Sequence, residues 1–182
     1  MAVVFDAFEF YKKITTNQSK VNNLQIGRIV CFDYGTRKLG IACGDLTNCI
    51  AFPKEVIVNN WRDADVLQHE IIEQCVKYNT KHIVIGLPKK NNNTLDEKCY
   101  FIIEVANKIC KVDEMFQVLL FDERFTTKQS LAIRKQSVII KGNVKKNKKE
   151  KTNSCYDDAS SASIILQDVL DLISSYNLDN NY

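Results

Sequence analysis

Three groups of carboxylates are placed along the chain as a divalent-metal site would require. Asp33 ends the apolar run RIVCFD, Asp122 and Glu123 end FQVLLF, and Asp157 and Asp158 open the last apolar-striped segment. Acids from separate elements aimed at one point repel each other unless a cation lies between them. Hard ions such as Mg2+ choose all-oxygen shells of this kind. Two such ions roughly 4 Å apart can orient a water and stabilise the leaving oxygen of a phosphodiester. Each acid also has a plainer use. Ser154 or Asp157 can cap a helix or meet its dipole, and Asp122 with Glu123 can simply begin a surface loop.

The second chemical feature is basic. Arg134 to Lys151 holds eight basic residues and one acid, Glu150, a charge of +7, whereas the whole chain carries +3. The remainder is therefore net acidic, and the average conceals a Lys-rich loop just ahead of Asp157 and Asp158. Lys141, Lys145, Lys146, Lys148, Lys149 and Lys151 are candidates to hold a nucleic-acid backbone through phosphate contacts that release counterions. The alternative is a solvated loop with no specific partner. Little aromatic residue interleaves there, which favours backbone recognition over base stacking.

Other chemistry is faint. His69 and His82 have no matching ligand at close spacing, and no Ser-His-Asp or Cys-His arrangement is legible. Seven cysteines, at 31, 43, 49, 75, 99, 110 and 155, contain no C-x-x-C pair, so reduced, uncatalytic thiols are expected. Asp6 and Glu9 interrupt what a signal peptide would keep apolar. No run approaches the ~20 apolar residues of a membrane span, so a cytoplasmic protein without a membrane partner is expected.

The elements that must position the acids follow from hydrophobic period. Residues 1–26 read as an N-terminal extension in which Phe5, Phe8 and Tyr11 form a turn and a half of amphipathic helix. Three strands follow, at 28–33, 39–45 and 49–58, with short links that make them antiparallel neighbours. Pro53 points to an edge or a bulge in the third. From Arg62 to Asn79 the apolar residues Ala64, Leu67, Ile71, Ile72, Cys75 and Val76 form a helical stripe, with Trp61 stapling its start. HIVIGL (82–87) is a strand covered on both faces. Thr94 and Glu97 form a capping box for a helix that buries Phe101, Ile102, Val105, Ala106 and Ile109. FQVLLF (116–121) is a further buried strand, Thr127 caps a short helix through Arg134, and a long helix from Ser154 turns Ala162, Ile165, Leu166, Val169 and Ile173 inward. This β-β-β-α-β-α-β-α order builds an α/β fold: a mixed five-stranded sheet, three antiparallel strands then strand–helix crossovers, with helices on both faces.

Four blocks, IVCFDYGTRKLGIACGD, IVIGLPKKNNNT, FDERFTT and YDDASSASIILQDVL, resemble in content and order the YqgF (RuvX) family of the RNase H-like superfamily, related to RuvC resolvases. The resemblance spans about residues 28–172. It implies an RNase H-like nuclease domain at 27–176 between the extension 1–26 and a tail 177–182. It assigns Asp33, Glu123 and Asp158 as the metal-holding catalytic acids, with Asp122 and Asp157 in reserve. Neighbouring acids on a strand point to opposite faces, so Asp122 and Glu123 do not serve equally. Arg124 becomes a phosphate contact or a partner orienting the carboxylates. Lys38, a further candidate for nucleic-acid contact, stands where the family usually has Arg and keeps the charge without the fork. Asn93-Thr94 replaces the family's Gly-Thr, and Ser160, Ser161 and Ser163 replace small or apolar residues.

The resemblance implies Mg2+ or Mn2+, two ions, and cleavage at the 5′ end of the small-subunit (pre-16S) ribosomal RNA precursor. Holliday-junction resolution is the second possibility, with branched DNA as substrate, and a catalytically idle RNA-binding assembly module is the third. A resolvase cuts two strands symmetrically as a dimer, and both monomer and homodimer stay open. A sugar-kinase-like phosphotransferase also uses D-x-G-T, but it needs a duplicated domain and a second Gly-rich loop, for which 182 residues and 6 Gly leave no room.

Overall fold

A computed structural model describes residues 3–19, 27–89, 94–122 and 155–179. Its elements in chain order are β1 (Val3–Val4), α1 (Ala7–Ser19), β2 (Ile29–Tyr34), β3 (Lys38–Gly44), β4 (Ala51–Val58), α2 (Ala64–Lys77), β5 (His82–Leu87), α3 (Glu97–Val112), β6 (Gln117–Asp122) and α4 (Cys155–Asp179). The strands form one sheet in the order β1-β6-β5-β2-β3-β4. The pairs β1–β6, β6–β5 and β5–β2 are parallel, and β2–β3 and β3–β4 are antiparallel.

The pleat sends alternate side chains to opposite faces. Val30, Phe32 and Tyr34 of β2 join Ile83, Ile85, Val118 and Leu120 beneath α2 and α3. Ile29 and Cys31 join Val84, Leu119 and Phe121 beneath α1 and α4. β4 is an edge strand whose register with β3 shifts between Gly40 and Ala42, opposite Pro53. A residue lacking an N–H is tolerated at such a place. Gln167 of α4 ties down that strand's start: its Oε1 accepts from the Ala51 N–H at 2.9 Å and its Nε2 donates to the Cys49 carbonyl at 3.1 Å.

Three expectations change. The sheet has six strands, not five, because Val3–Val4 pairs with Val118 and Leu119. A two-residue strand offers no period to read in sequence. The helix of residues 7–19 buries Ala7, Phe10 and Ile14, whereas Phe5 and Phe8 are 56% and 40% exposed; the stripe is set one residue away from the aromatic pair that suggested it. Helix α3 is capped by Asp96, which accepts from the Cys99 N–H at 3.1 Å, rather than by Thr94. Asp can cap at N3 alone, and that moves the helix start two residues on. The short helix expected from Thr127 lies outside the described residues. Six of the cysteines are free, and Cys155 is not among them because its side chain is outside the described part.

Helix α4 carries an acid where an apolar residue would serve better. Asp168 is 8% exposed, and its Oδ2 has no hydrogen-bond partner among the described residues. Burial, with Asp171 nearby, pushes its pKa up to about 6. The folded state thus binds this proton more tightly than the unfolded chain, whose carboxyl titrates near 3.8. Stability falls as pH rises through that window and stays reduced above it. Asp168→Asn is expected to stabilise the protein at about pH 7.5 by about 1–3 kcal/mol and to change nothing near pH 3.5. Thermal melts at both pH values check this; an equal effect at the two would refute the assignment.

Candidate active site at the end of the central strand

Strands β3 and β4 lie to one side of β2, and β5 and β6 lie to the other. The strand order therefore switches between β2 and β5, and in open α/β sheets the ligand crevice lies beyond the carboxyl ends of the strands at such a point. Asp33, half-buried, is next to last in β2. It shares the face of Ile29 and Cys31, the one covered by α4. In the antiparallel neighbour it is paired with Gly40. In the parallel neighbour it stands one residue beyond the Phe32–Ile85 pair, level with Gly86. No side chain flanks the carboxylate on either adjacent strand, each about 4.8 Å away. Sequence reading passed over Gly40 and Gly86, although an isolated glycine inside an apolar strand signals close approach of another group.

Asp122 ends β6 on the other face. It continues the alternation of Val118 and Leu120, which pack beneath α2 and α3. There its Oδ2 lies 3.7 Å from the Lys89 Nζ. The reserve acid is thus separated from Asp33 by the sheet itself. Asp157 and Asp158 lie in the first turn of α4, the helix packed on the face of Asp33, but their side chains are outside the described part. Glu123, Arg124, Lys141, Lys145, Lys146, Lys148, Lys149 and Lys151 also lie outside the described residues. Among those described, no three His, Cys, Asp or Glu side chains cluster as a metal site.

The turn after Asp33 is well determined. The Gly35 N–H donates to the Lys38 carbonyl at 2.8 Å, and a Cβ on Gly35 would lie 3.0 Å from that oxygen. Lys38 opens β3 opposite Val58. The Tyr34 hydroxyl donates to the Trp61 carbonyl at 2.8 Å, and burial raises its pKa while Arg62 partly offsets the rise. Trp61 is fully buried ahead of α2, which Asp63 caps.

The two histidines lie apart in the fold. His82 begins β5 at the opposite end of the strand, and burial lowers its pKa. His69, on α2, lies 3.4 Å from Glu73.

The donor chemistry fits a hard divalent cation. Asp33 offers only oxygens, the ligand type that such an ion prefers.

A family model described as "RuvX: Holliday junction resolvase" matches residues 27–172. A protein of Ehrlichia ruminantium named "Putative pre-16S rRNA nuclease" is 31% identical over 170 residues, 92% of this chain and 99% of its own. One of the same name from Rickettsia typhi is 32% identical over 171 residues, covering 93% and 96%. Among solved structures, T. thermophilus RuvC in complex with Holliday junction substrate is similar with a TM-score of 0.51, at 12% identity, over 82% of this chain and 95% of that one. At that identity the likeness is one of fold, and the fold is RNase H-like.

Proposed function

We propose, from the premise that this chain belongs to the RuvX family, that it is a divalent-metal-dependent nuclease that trims the 5′ end of the pre-16S ribosomal RNA in the cytoplasm. The observation that carries the proposal is the position of Asp33 at the switch point, glycine-flanked, on the sheet face covered by α4. The relatives' name supports ribosomal RNA over branched DNA as substrate. Asp33, Glu123 and Asp158 would hold Mg2+ or Mn2+, two ions. Bound there, the ions would supply charge neutralisation for in-line displacement at phosphorus.

The chain's own groups do the rest. Asp33 projects from a strand fixed on both sides by ladder hydrogen bonds, so little reorganisation is needed when charge develops. Glu123 is preferred to Asp122 because Asp122 occupies the face opposite Asp33. Arg124 and the lysines between Lys141 and Lys151 would neutralise the substrate backbone around the scissile phosphate.

The test offers purified protein a 5′-labelled pre-16S precursor and a four-way DNA junction, each with Mn2+ and with chelator. Metal-dependent shortening of the RNA, with the junction left intact, is the expected result. Symmetric junction cleavage by a dimer would move the assignment to resolvase, and metal-independent or absent cleavage of both would overturn it.

A further inference from the structure

Arg37 and Arg62 lie 25 positions apart in sequence and meet in space. With Val58, Asn59 and Asn60 they line an open cleft of about 470 Å³. Its two walls are the β2–β3 turn and the β4–α2 link. The Asn59 N–H donates to the Arg37 carbonyl at 3.2 Å and the Trp61 N–H to the Thr36 carbonyl at 3.1 Å. With the Tyr34–Trp61 hydrogen bond, these three bonds hold the walls together. β4 runs parallel to β2 through two antiparallel pairings, so the cleft opens at the same end of the sheet as Asp33. Arg37 follows Asp33 by four residues, at most about 14 Å of chain.

The cleft carries two guanidinium groups. Among the described residues neither guanidinium is in an ion pair. The acids nearest to Arg62 in sequence are engaged elsewhere: Asp63 accepts from the Asp65 and Val66 N–H groups at 2.8 and 3.3 Å, and Asp65 is paired with Lys108 at 2.5 Å. Asn59 accepts from the Asn60 N–H through its Oδ1 at 2.7 Å, which turns its amide NH2 away from that bond as a donor. Two planar forks and an amide donor around an open cleft match the oxygens of a phosphodiester. Among the described residues no aromatic lines the cleft, so it suits a backbone phosphate better than a stacked base.

We propose that the Arg37–Arg62 cleft is a nucleic-acid subsite that grips a backbone phosphate of the strand being cut, on the other side of the β2–β3 hairpin from Asp33. This rests on the nuclease reading and names a part of the substrate-binding surface beyond the Lys-rich loop. The site reads phosphate and not sequence.

The experiment measures binding of a short fluorescein-labelled single-stranded RNA, in chelator, over a series of salt concentrations. Each of Arg37→Ala and Arg62→Ala is expected to lower the slope of log affinity against log salt by about 0.7, the value for one lost single-strand phosphate contact. At roughly 150 mM salt that corresponds to an affinity loss of about fourfold. The double variant should lose about twice the slope, and Lys substitutions should restore it. Lys111→Ala, at the far end of α3, is the control and should leave the slope unchanged. Circular dichroism melts within about one degree of wild type show that no variant acts by unfolding. Wild-type slopes in both Ala variants would overturn the subsite. If wild type still cleaves with metal in that case, only the subsite falls; if wild type neither binds nor cleaves, the nuclease reading falls with it.

Discussion

Asp33→Asn is expected to abolish metal-dependent cleavage and Asp122→Asn to spare it. The substitution at 33 keeps shape and removes one negative charge from the point where the proposed cation would be held. Loss of a group that merely orients a metal ligand costs 10–100-fold, so loss of a ligand itself should cost at least about 100-fold in rate. Asp122 begins from a different place. It sits on the α2/α3 face, 3.7 Å from Lys89, and its replacement removes one ion pair that is not part of the Asp33 face. Activity close to that of wild type is expected for that variant, because its carboxylate lies on the sheet face opposite Asp33. Glu123→Gln should behave like Asp33→Asn. Cleavage rates with Mn2+, beside calorimetric titration of Mn2+ into each variant, provide the check. Equal losses for Asp122→Asn and Asp33→Asn would put the metal on the wrong face.

Phe10→Ala should cost about 3–5 kcal/mol of folding stability, the range for emptying a fully buried aromatic site. Phe10 is 0% exposed and packs with Ile14, Leu119, Phe121, Leu166 and Val169 between α1, β6 and α4. Helix α1 also meets α4 through Phe8 and Tyr176, whose rings lie edge to face at 5.1 Å. The cavity would open beneath α4, the helix whose first turn carries Asp157 and Asp158, so catalysis should weaken well below the melting temperature. Urea unfolding followed by tryptophan fluorescence measures the loss; Trp61 is the sole tryptophan and lies in the other core layer. A loss below about 1 kcal/mol would mean that residues 3–19 are a detachable arm.

That second prediction concerns a segment which reads as an extension in sequence. Its polar continuation, NQSKVNNLQ, and the visible pair Phe5 and Phe8 suggest a loosely attached turn. Phe10 and Ile14 are four apart and equally consistent with a helix face, but nothing local ranks one stripe over the other. The choice belongs to α4, which supplies the apolar surface against which one stripe can be buried. Strand β1 is harder still, because two residues have no period and their pairing partner lies more than a hundred positions away.

The central strands and the long helices were legible because their burial is strong and regular. HIVIGL and FQVLLF are covered on both faces and need no partner to be recognised, and Ile165, Leu166, Val169 and Ile173 face inward as their spacing requires. Asp33 stands out as a candidate for the same local reason, since an acid that ends an apolar strand before a Gly-containing turn has few structural uses. The amino-acid order therefore determined the central strands, the long helices and the family. Only the tertiary structure decided which sheet faces Asp33 and Asp122 occupy, that glycines from two other strands flank Asp33, and that Arg37 and Arg62 line one cleft. Side-chain period is a local property of the backbone, but faces are shared and clefts are closed by strand pairing, which joins residues whose separation in sequence carries no signal.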